Sequence, residues 1–522
     1  MPLNLASPGI VIREVDLTVG RVDATNGSVG ALVAPFAKGP VEDPILVTDE
    51  AGLLKTFGES YNTDKHYEYW MVASSYLAYG GNMRVVRADD TNITNAFVGT
   101  ATSIKIKSTE HYGQLGYQDN TITNVTIAAK NPGSWANGIK VGIIDGKADQ
   151  VIAGVVTNTA TLAVGFGVTQ TVDGTVGKAD GTTEPATGHL KGIITGISGD
   201  GSSTAPYSLE VKVLSHISAG STETEVDYQQ GGIYQFDATR LLSFHDGASG
   251  AGTTDTFNAP TDWFDAQEIE LTGPNVKWNT LVDRPGTSEY AAARNSRFDE
   301  VHVIVYDDKG EVTGNAGTIL EKHVALSKGD DAEYSLGSTA YWRSYLYAQS
   351  DNLFGGSAPA GIVTTSFSSG FTQDNDTGWD QPTQNIKFAG IGNTTLTLAG
   401  GKDYGDGTDI NATGALSAEL NNLVTGYSLF ENSDVNEIDF LLMGSGNHTS
   451  AEVQALSSKL IAVAEARQDA VAFCSPYREA FLNDSSVGTV TVNNDSTITD
   501  NLVAHYGPIT SSSYGVFDSG YK

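Results

Sequence analysis

The sequence predicts a multidomain α+β fold: a discontinuous α/β core domain with inserted β-rich domains. Three observations predict it. Segments with helical apolar spacing fall near the two ends of the chain, around 48–79 and 415–467. The middle is rich in Gly, Thr, Ser, Asn and Asp, broken by short β-type runs. The stretch Ile438–Phe481 reads as strand, helix, strand, which is one βαβ unit with a parallel pair. A chain of 522 residues also exceeds what one core supports, so about three or four domains are expected.

Residues 1–22 read as an arm. Ser7-Pro8-Gly9 is a turn, and Ile10, Val11, Ile12, Arg13, Glu14, Val15, Asp16, Leu17 and Thr18 form an edge-type strand without a near hairpin partner. Such a strand tends to pair with another subunit's sheet edge. From 23 to 90 the pattern is α/β. Val29–Val33 and Ile45–Val47 are strands, Thr48 caps a short helix through Phe57, and Gly58 closes it. A longer helix runs from Asp64 to Tyr79 with Tyr67, Trp70, Ser74 and Leu77 on one face, followed by the strand Met83–Ala88.

From Asp89 to about Gly273, β-type runs are expected at Ser103–Lys107, Ile122–Ala128, Gly138–Ile144, Ile152–Val156, Lys191–Ile197 and Leu209–Leu214, with no helix before Ala259. Asn131–Gly138 is a tight turn around a buried Trp135. Mixed structure returns with the strand Glu300–Tyr306, a hairpin turn at Asp307–Gly310, further β pattern at Glu311–Thr313 and Thr318–Ala325, and an ambiguous Tyr341–Tyr347. A helix is expected near Ala415–Leu429. Then come the strand Ile438–Met443, a glycine turn at Gly444–Gly446, and a helix opening on the capping-box spacing Thr449-Ser-Ala-Glu452. The strand Ala470–Cys474 completes the unit, and 482–522 reads as polar β sequence.

Charge and motif content narrow the function classes. With 30 basic and 62 acidic residues the formal charge is −32, so a nucleic-acid partner is not expected. No run approaches the roughly 18–20 apolar residues of a membrane span, so no membrane insertion is expected. Cys474 is the single cysteine, which excludes an intrachain disulfide. It ends an apolar strand and reads as a packed hydrophobe. His448 reads as a capping or surface residue, because the nine histidines are scattered. Gly444-Ser-Gly446 opens like a phosphate-binding turn, but the third glycine of a dinucleotide fingerprint and a Walker lysine are missing. Asp403, Asp406 and Asp409, and likewise Asp173 and Asp180, do not follow the EF-hand ligand order. No catalytic, metal-binding or cofactor-binding residue, and no cofactor, is expected.

Several landmarks occur together in one order. Ser7-Pro-Gly-Ile-Val-Ile-Arg-Glu14, Gly30–Pro40, Phe57-Gly58, Tyr79-Gly-Gly-Asn-Met-Arg-Val-Val-Arg-Ala88, Asn131-Pro-Gly-Ser-Trp-Ala-Asn-Gly138 and Cys474-Ser-Pro-Tyr-Arg-Glu479 resemble those of the tail sheath proteins of contractile-tailed, myovirus-type bacteriophages. Ala136 stands where that family usually has glycine. The resemblance covers 1–90, about 128–145 and 274–522, and is weakest over 146–273.

The resemblance implies a structural subunit and not an enzyme. Such subunits polymerise as six-fold helical rings around a tail tube and contract to drive the tube through the host envelope. It implies a homo-oligomer whose partners are the tail tube protein and the baseplate and neck or terminator proteins, in a virion assembled in the host cytoplasm. Ile10 to Thr18 would be the strand exchanged between subunits. The implied division is an exchange arm at 1–22, a core domain at 23–90 and 401–505, a β-rich, variable, outward-facing insertion at 91–127 and 146–273, a mixed α/β domain at 128–145 and 274–400, and the start of a truncated C-terminal segment at 506–522. Large members of the family continue past the segment like Tyr506–Lys522, so the family's C-terminal domain is expected to be missing from this chain. The alternatives are a nucleotide-binding α/β enzyme using the glycine turn, and a virion surface adhesin using the loop-rich middle.

Overall fold

The computed structural model describes residues 28–61, 66–117, 122–157, 161–225, 233–247, 250–361, 378–408, 416–485 and 489–518. The predicted arm strand Ile10–Thr18 lies outside these residues. The chain is a mixed α/β protein, with eight α-helices and several separate sheets among the described residues. Its contacts divide it into two compact units. One combines Met1–Pro35, Asp43–Ala88 and Ala418–Lys522, and the other combines Phe36–Glu42 and Asp89–Ser417.

The first unit is built on a six-stranded sheet in the order Ile45–Val47, Asn82–Arg87, Val29–Ala34, Phe440–Leu442, Val471–Cys474, Gly515–Phe517. All neighbours are parallel except the first pair. The expected βαβ unit is present: Phe440–Leu442 and Val471–Cys474 pair in parallel across the helix Ser450–Arg467. That helix starts on a complete capping box, in which Thr449 accepts from the Glu452 amide and the Glu452 carboxylate accepts from the Thr449 amide. It ends at Gln468 in the left-handed region, φ 62°.

Helices pack on both faces of this sheet. On one face, Leu32, Met83 and Val85 are fully buried on the side of the helix His66–Ala78, where Tyr69 and Tyr76 approach the strands. On the other, the helix Leu420–Ser428 comes close to Val33. A side chain at Gly426 would stand 2.4 Å from it, so only glycine allows that approach.

Three expectations for this unit are corrected. The first short helix, Glu50–Phe57, is capped by Asp49 and not Thr48, because the Asp49 carboxylate reaches the Gly52 amide at 2.7 Å. The buried stripe of the second helix is His66, Tyr69, Trp70, Ala73 and Leu77; Tyr67 is exposed, and the Ser74 hydroxyl donates to Glu50. Residues 482–522 contain, besides a hairpin, the helix Asp495–Tyr506, capped by Asn494.

The second unit holds a four-stranded sheet in the order Thr318–Ser327, Glu300–Asp307, Ile139–Asp145, Asn393–Thr397, and a nine-stranded sheet spanning residues from Gln150 to Asp262. The four-stranded sheet is antiparallel throughout, and Ile139, Val141, Ile143, Val301, Val303 and Val305 are buried in its core. The nine-stranded sheet centres on three long strands, Gly167–Lys178, Thr183–Ser198 and Tyr207–Ser218. Its own core includes Val168, Leu190, Ile194, Leu209 and Phe244.

Here too some expectations fail. Ser103–Lys107 forms no strand, and the helix Thr109–Gln114 follows, capped by Ser108. Directly after Ala259 comes a 3₁₀ turn, Phe264–Ala266, and the next α-helix is the short Glu289–Ala292. Glu311–Thr313 is a turn held by the Asp307 carboxylate, which accepts from the Val312 and Thr313 amides. Tyr341–Tyr347 resolves as part of the helix Trp342–Gln349. Trp135 is buried in a 3₁₀ turn, as expected.

Candidate functional site

The glycine turn at Gly444–His448 is filled by protein groups. Gly444 has φ 80°, and a side chain there would meet the Tyr69 ring at 2.5 Å. The Ser445 hydroxyl donates to Glu68 and accepts from the Asn447 amide at 3.0 Å. The Gly446 carbonyl accepts from the Arg478 amide at 2.9 Å. His448 Nε2 and the Tyr69 hydroxyl lie 3.1 Å apart. At the helix start, the Glu452 amide is bound to Thr449 and the Ser450 hydroxyl to His505 Nδ1 at 2.9 Å. A carboxylate, Glu68, thus stands in the turn where a phosphate would have to sit, and repels it. This geometry is that of a tied-down scaffold turn.

Three other singled-out residues, Cys474, Asp403 and Asp180, also have structural partners. Cys474 is buried with Sγ 4.0 Å from the Ser457 carbonyl, and burial pushes its thiol up to about 11, so it stays protonated and unreactive. Asp403 is buried, and its carboxylate accepts from the Ser134 amide at 2.9 Å and from the Ser134 hydroxyl; it holds the Trp135 turn. Asp409 lies outside the described residues. Asp180 folds onto its own loop by accepting from the Thr182 amide at 2.8 Å. No helix among the described residues is long and apolar enough to cross a membrane.

The feature that the sequence did not announce is an uncovered half of a sheet face. Strand register places Phe440 beside Val471, Leu442 beside Phe473, and Phe473 beside Val516. These five side chains therefore share one face. It is the face on which Leu32, Met83 and Val85 are fully buried further along the sheet. Here, however, Phe473 is 40% and Val516 44% exposed. The rings of Phe440 and Phe473 pack edge to face at 5.4 Å. On the opposite face Leu441, Ala472 and Cys474 are buried. The apolar character of Ile438–Met443 on both faces was the available signal. It predicts cover on both sides, and the described residues supply it fully on only one.

Comparison with known proteins gives a consistent answer. The chain is 38% identical to the tail sheath protein of Enterobacteria phage T4 over 88 residues, which is 17% of this chain and 13% of that protein. It is 35% identical to the tail sheath protein of Vibrio phage KVP40 over 95 residues, 18% of this chain and 14% of that one. A longer match, to the tail sheath protein of Salmonella phage ViI, is 26% identical over 378 residues and covers 68% of this chain. The matched part spans 50% of that relative's length. No family model matches the chain. A solved sheath tail protein from Listeria innocua is similar over 94% of this chain and 58% of its own at 9% identity, with a TM-score of 0.31, too low to bear on the fold. In sequence, the chain is similar to bacteriophage tail sheath proteins.

Proposed function

We propose that this protein is a structural, non-enzymatic subunit of a contractile phage tail sheath. In this reading it is a virion component that is assembled in the host cytoplasm, polymerises as six-fold helical rings around a tail tube, and contracts to drive the tube through the host envelope. The observation that carries the reading is the sequence similarity to tail sheath proteins along 68% of the chain. Its partners are further copies of itself, a tube protein, and baseplate and neck or terminator proteins. The α/β part, expected at 23–90 and 401–505, is the discontinuous core domain. The β-rich 91–127 and 146–273 face outward, 128–145 and 274–400 form the middle domain, and Ile10–Thr18 is the strand passed to a neighbour.

Self-association has a suitable surface in Phe440, Leu442, Val471, Phe473 and Val516. Two copies carrying −32 each repel one another, so their contact favours uncharged apolar surface of this kind, whereas a basic partner would select the acidic surface. We assign this face to a second copy of the chain.

Electron microscopy of the full-length product tests the assembly: tubes with six-fold helical striation are expected, and only small monodisperse particles would overturn it. Deleting residues 1–18 should leave a folded protein that no longer builds long polymers. Unchanged assembly would remove strand exchange from the account.

A further inference from the structure

The chain leaves the four-stranded sheet at Asp145 and enters the nine-stranded sheet at Gln150. It leaves the latter at Asp262. Six ionisable side chains gather at these crossings. Asp145 and Lys328 are both fully buried and pair at 2.9 Å. The Asp145 carboxylate also accepts from the Ile391 and Gly392 amides, at 3.0 and 2.8 Å. The Lys328 ammonium donates to the Phe298 and Ala389 carbonyls, at 2.9 and 3.2 Å. Lys212, on the strand Tyr207–Ser218 of the nine-stranded sheet, donates across to the Gly146 carbonyl and lies 3.7 Å over the Phe298 ring. Asp149 accepts from the Val213 amide at 2.8 Å and faces Arg284 at 3.7 Å, and Arg284 also pairs with Asp262.

With every group ionised, three carboxylates meet three cations, so this cluster is neutral within a chain of charge −32. A buried pair of this kind adds little net stability over an apolar pair. Removing one partner, however, strands the other charge in low dielectric. The arrangement therefore penalises every geometry but one at the junction.

We propose that Asp145, Asp149, Asp262, Lys212, Arg284 and Lys328 form a buried ionic latch that fixes the nine-stranded sheet to the four-stranded sheet, so that the two move as one rigid body, and that Lys212 sets its strength. Burial pushes the Lys212 ammonium down to about 8; Asp149 and Asp145 favour its charge, while Lys328 and Arg284 oppose it. An opened junction hydrates Lys212 and returns it to the ordinary lysine range near 10.4. The opened form thus binds more protons between these limits. Opening becomes easier as pH falls from about 10.4 to about 8, by on the order of a hundredfold, and levels off below.

Hydrogen exchange of the intact protein, corrected for intrinsic rates, reads this directly. In Lys328→Met, amides of Gln150–Val155 and Tyr207–Ser218 should exchange at least about tenfold faster, while Val471–Cys474 in the other unit is unchanged. Lys212→Met keeps the volume, should remain folded, and should lose the pH dependence of opening. Unchanged exchange in Lys328→Met would overturn the latch. If that variant fails to fold, Arg284→Lys serves as the milder break, with the same two outcomes. A pH dependence that survives in Lys212→Met would overturn the role given to Lys212. Neither outcome depends on whether the protein builds a sheath.

Discussion

At the scale of single residues, burial decides chemistry. His66 opens the helix His66–Ala78, is fully buried, and accepts from the Tyr61 amide at 3.3 Å through Nδ1. Burial pushes its imidazole down to about 4, with the Arg87 charge adding to the effect. A depressed histidine prefers to be neutral in the folded state. The stability it permits is complete above its unfolded value of about 6.5 and is lost as pH falls towards 4, by on the order of 3 kcal/mol. Replacing His66 with Gln keeps an acceptor for the Tyr61 amide and removes the titration. The difference in thermal midpoint between wild type and His66→Gln should therefore grow in favour of the variant from pH 6.5 down to pH 4. A constant offset across that window would show that His66 is not the acid-sensitive group. Nothing in the sequence marked His66 for this role, since a histidine at a helix start reads equally well as exposed.

At the scale of elements, local chemistry was legible and two-sided environment was not. The helix Ser450–Arg467 could be read from Thr449-Ser-Ala-Glu452 because a capping box is a short-range contact written in four adjacent positions. Thr449→Ala should cost about 1 kcal/mol. Gly426→Val should cost more, because its side chain would be driven into Val33, 2.4 Å from the ideal Cβ, and separate the helix Leu420–Ser428 from the sheet. Denaturation midpoints of the two variants, followed by helix signal, check the order; equal losses would mean that the helix can slide to relieve the clash. The helix Asp495–Tyr506 is not legible in the sequence, because its β-branched residues imitate a strand and its buried side includes a histidine in place of an apolar stripe. The long hairpin strands look shorter in the sequence than they are, because the outer part of Thr183–Ser198 is exposed on alternate residues and carries Thr, Glu and Gly. The ionic cluster was invisible for a different reason: Asp145 and Lys328 are distant in sequence and meet only through the fold.

At the scale of the whole molecule, charge and the uncovered sheet face act against each other. Each copy carries a formal −32, so approach of two copies is opposed by a repulsion that salt screens over about 10 Å at 0.1 M. Burial of apolar side chains such as Phe473 and Val516 drives association, and salt does not weaken it. If copies meet on that face, self-association must strengthen as salt rises from about 0.02 M to about 0.5 M. Contacts built from opposite charges would weaken over the same range. Light scattering against salt concentration separates the two, and the double variant Phe473→Asp, Val516→Asp locates the contact. The variant should lose salt-promoted association while keeping its helix content, because both positions face outward from a sheet already packed on its other side by Leu441, Ala472 and Cys474. Association that grows with salt in the wild type and persists in the double variant would move the apolar contact elsewhere on the chain. Association that falls with salt would replace the apolar contact with an ionic one.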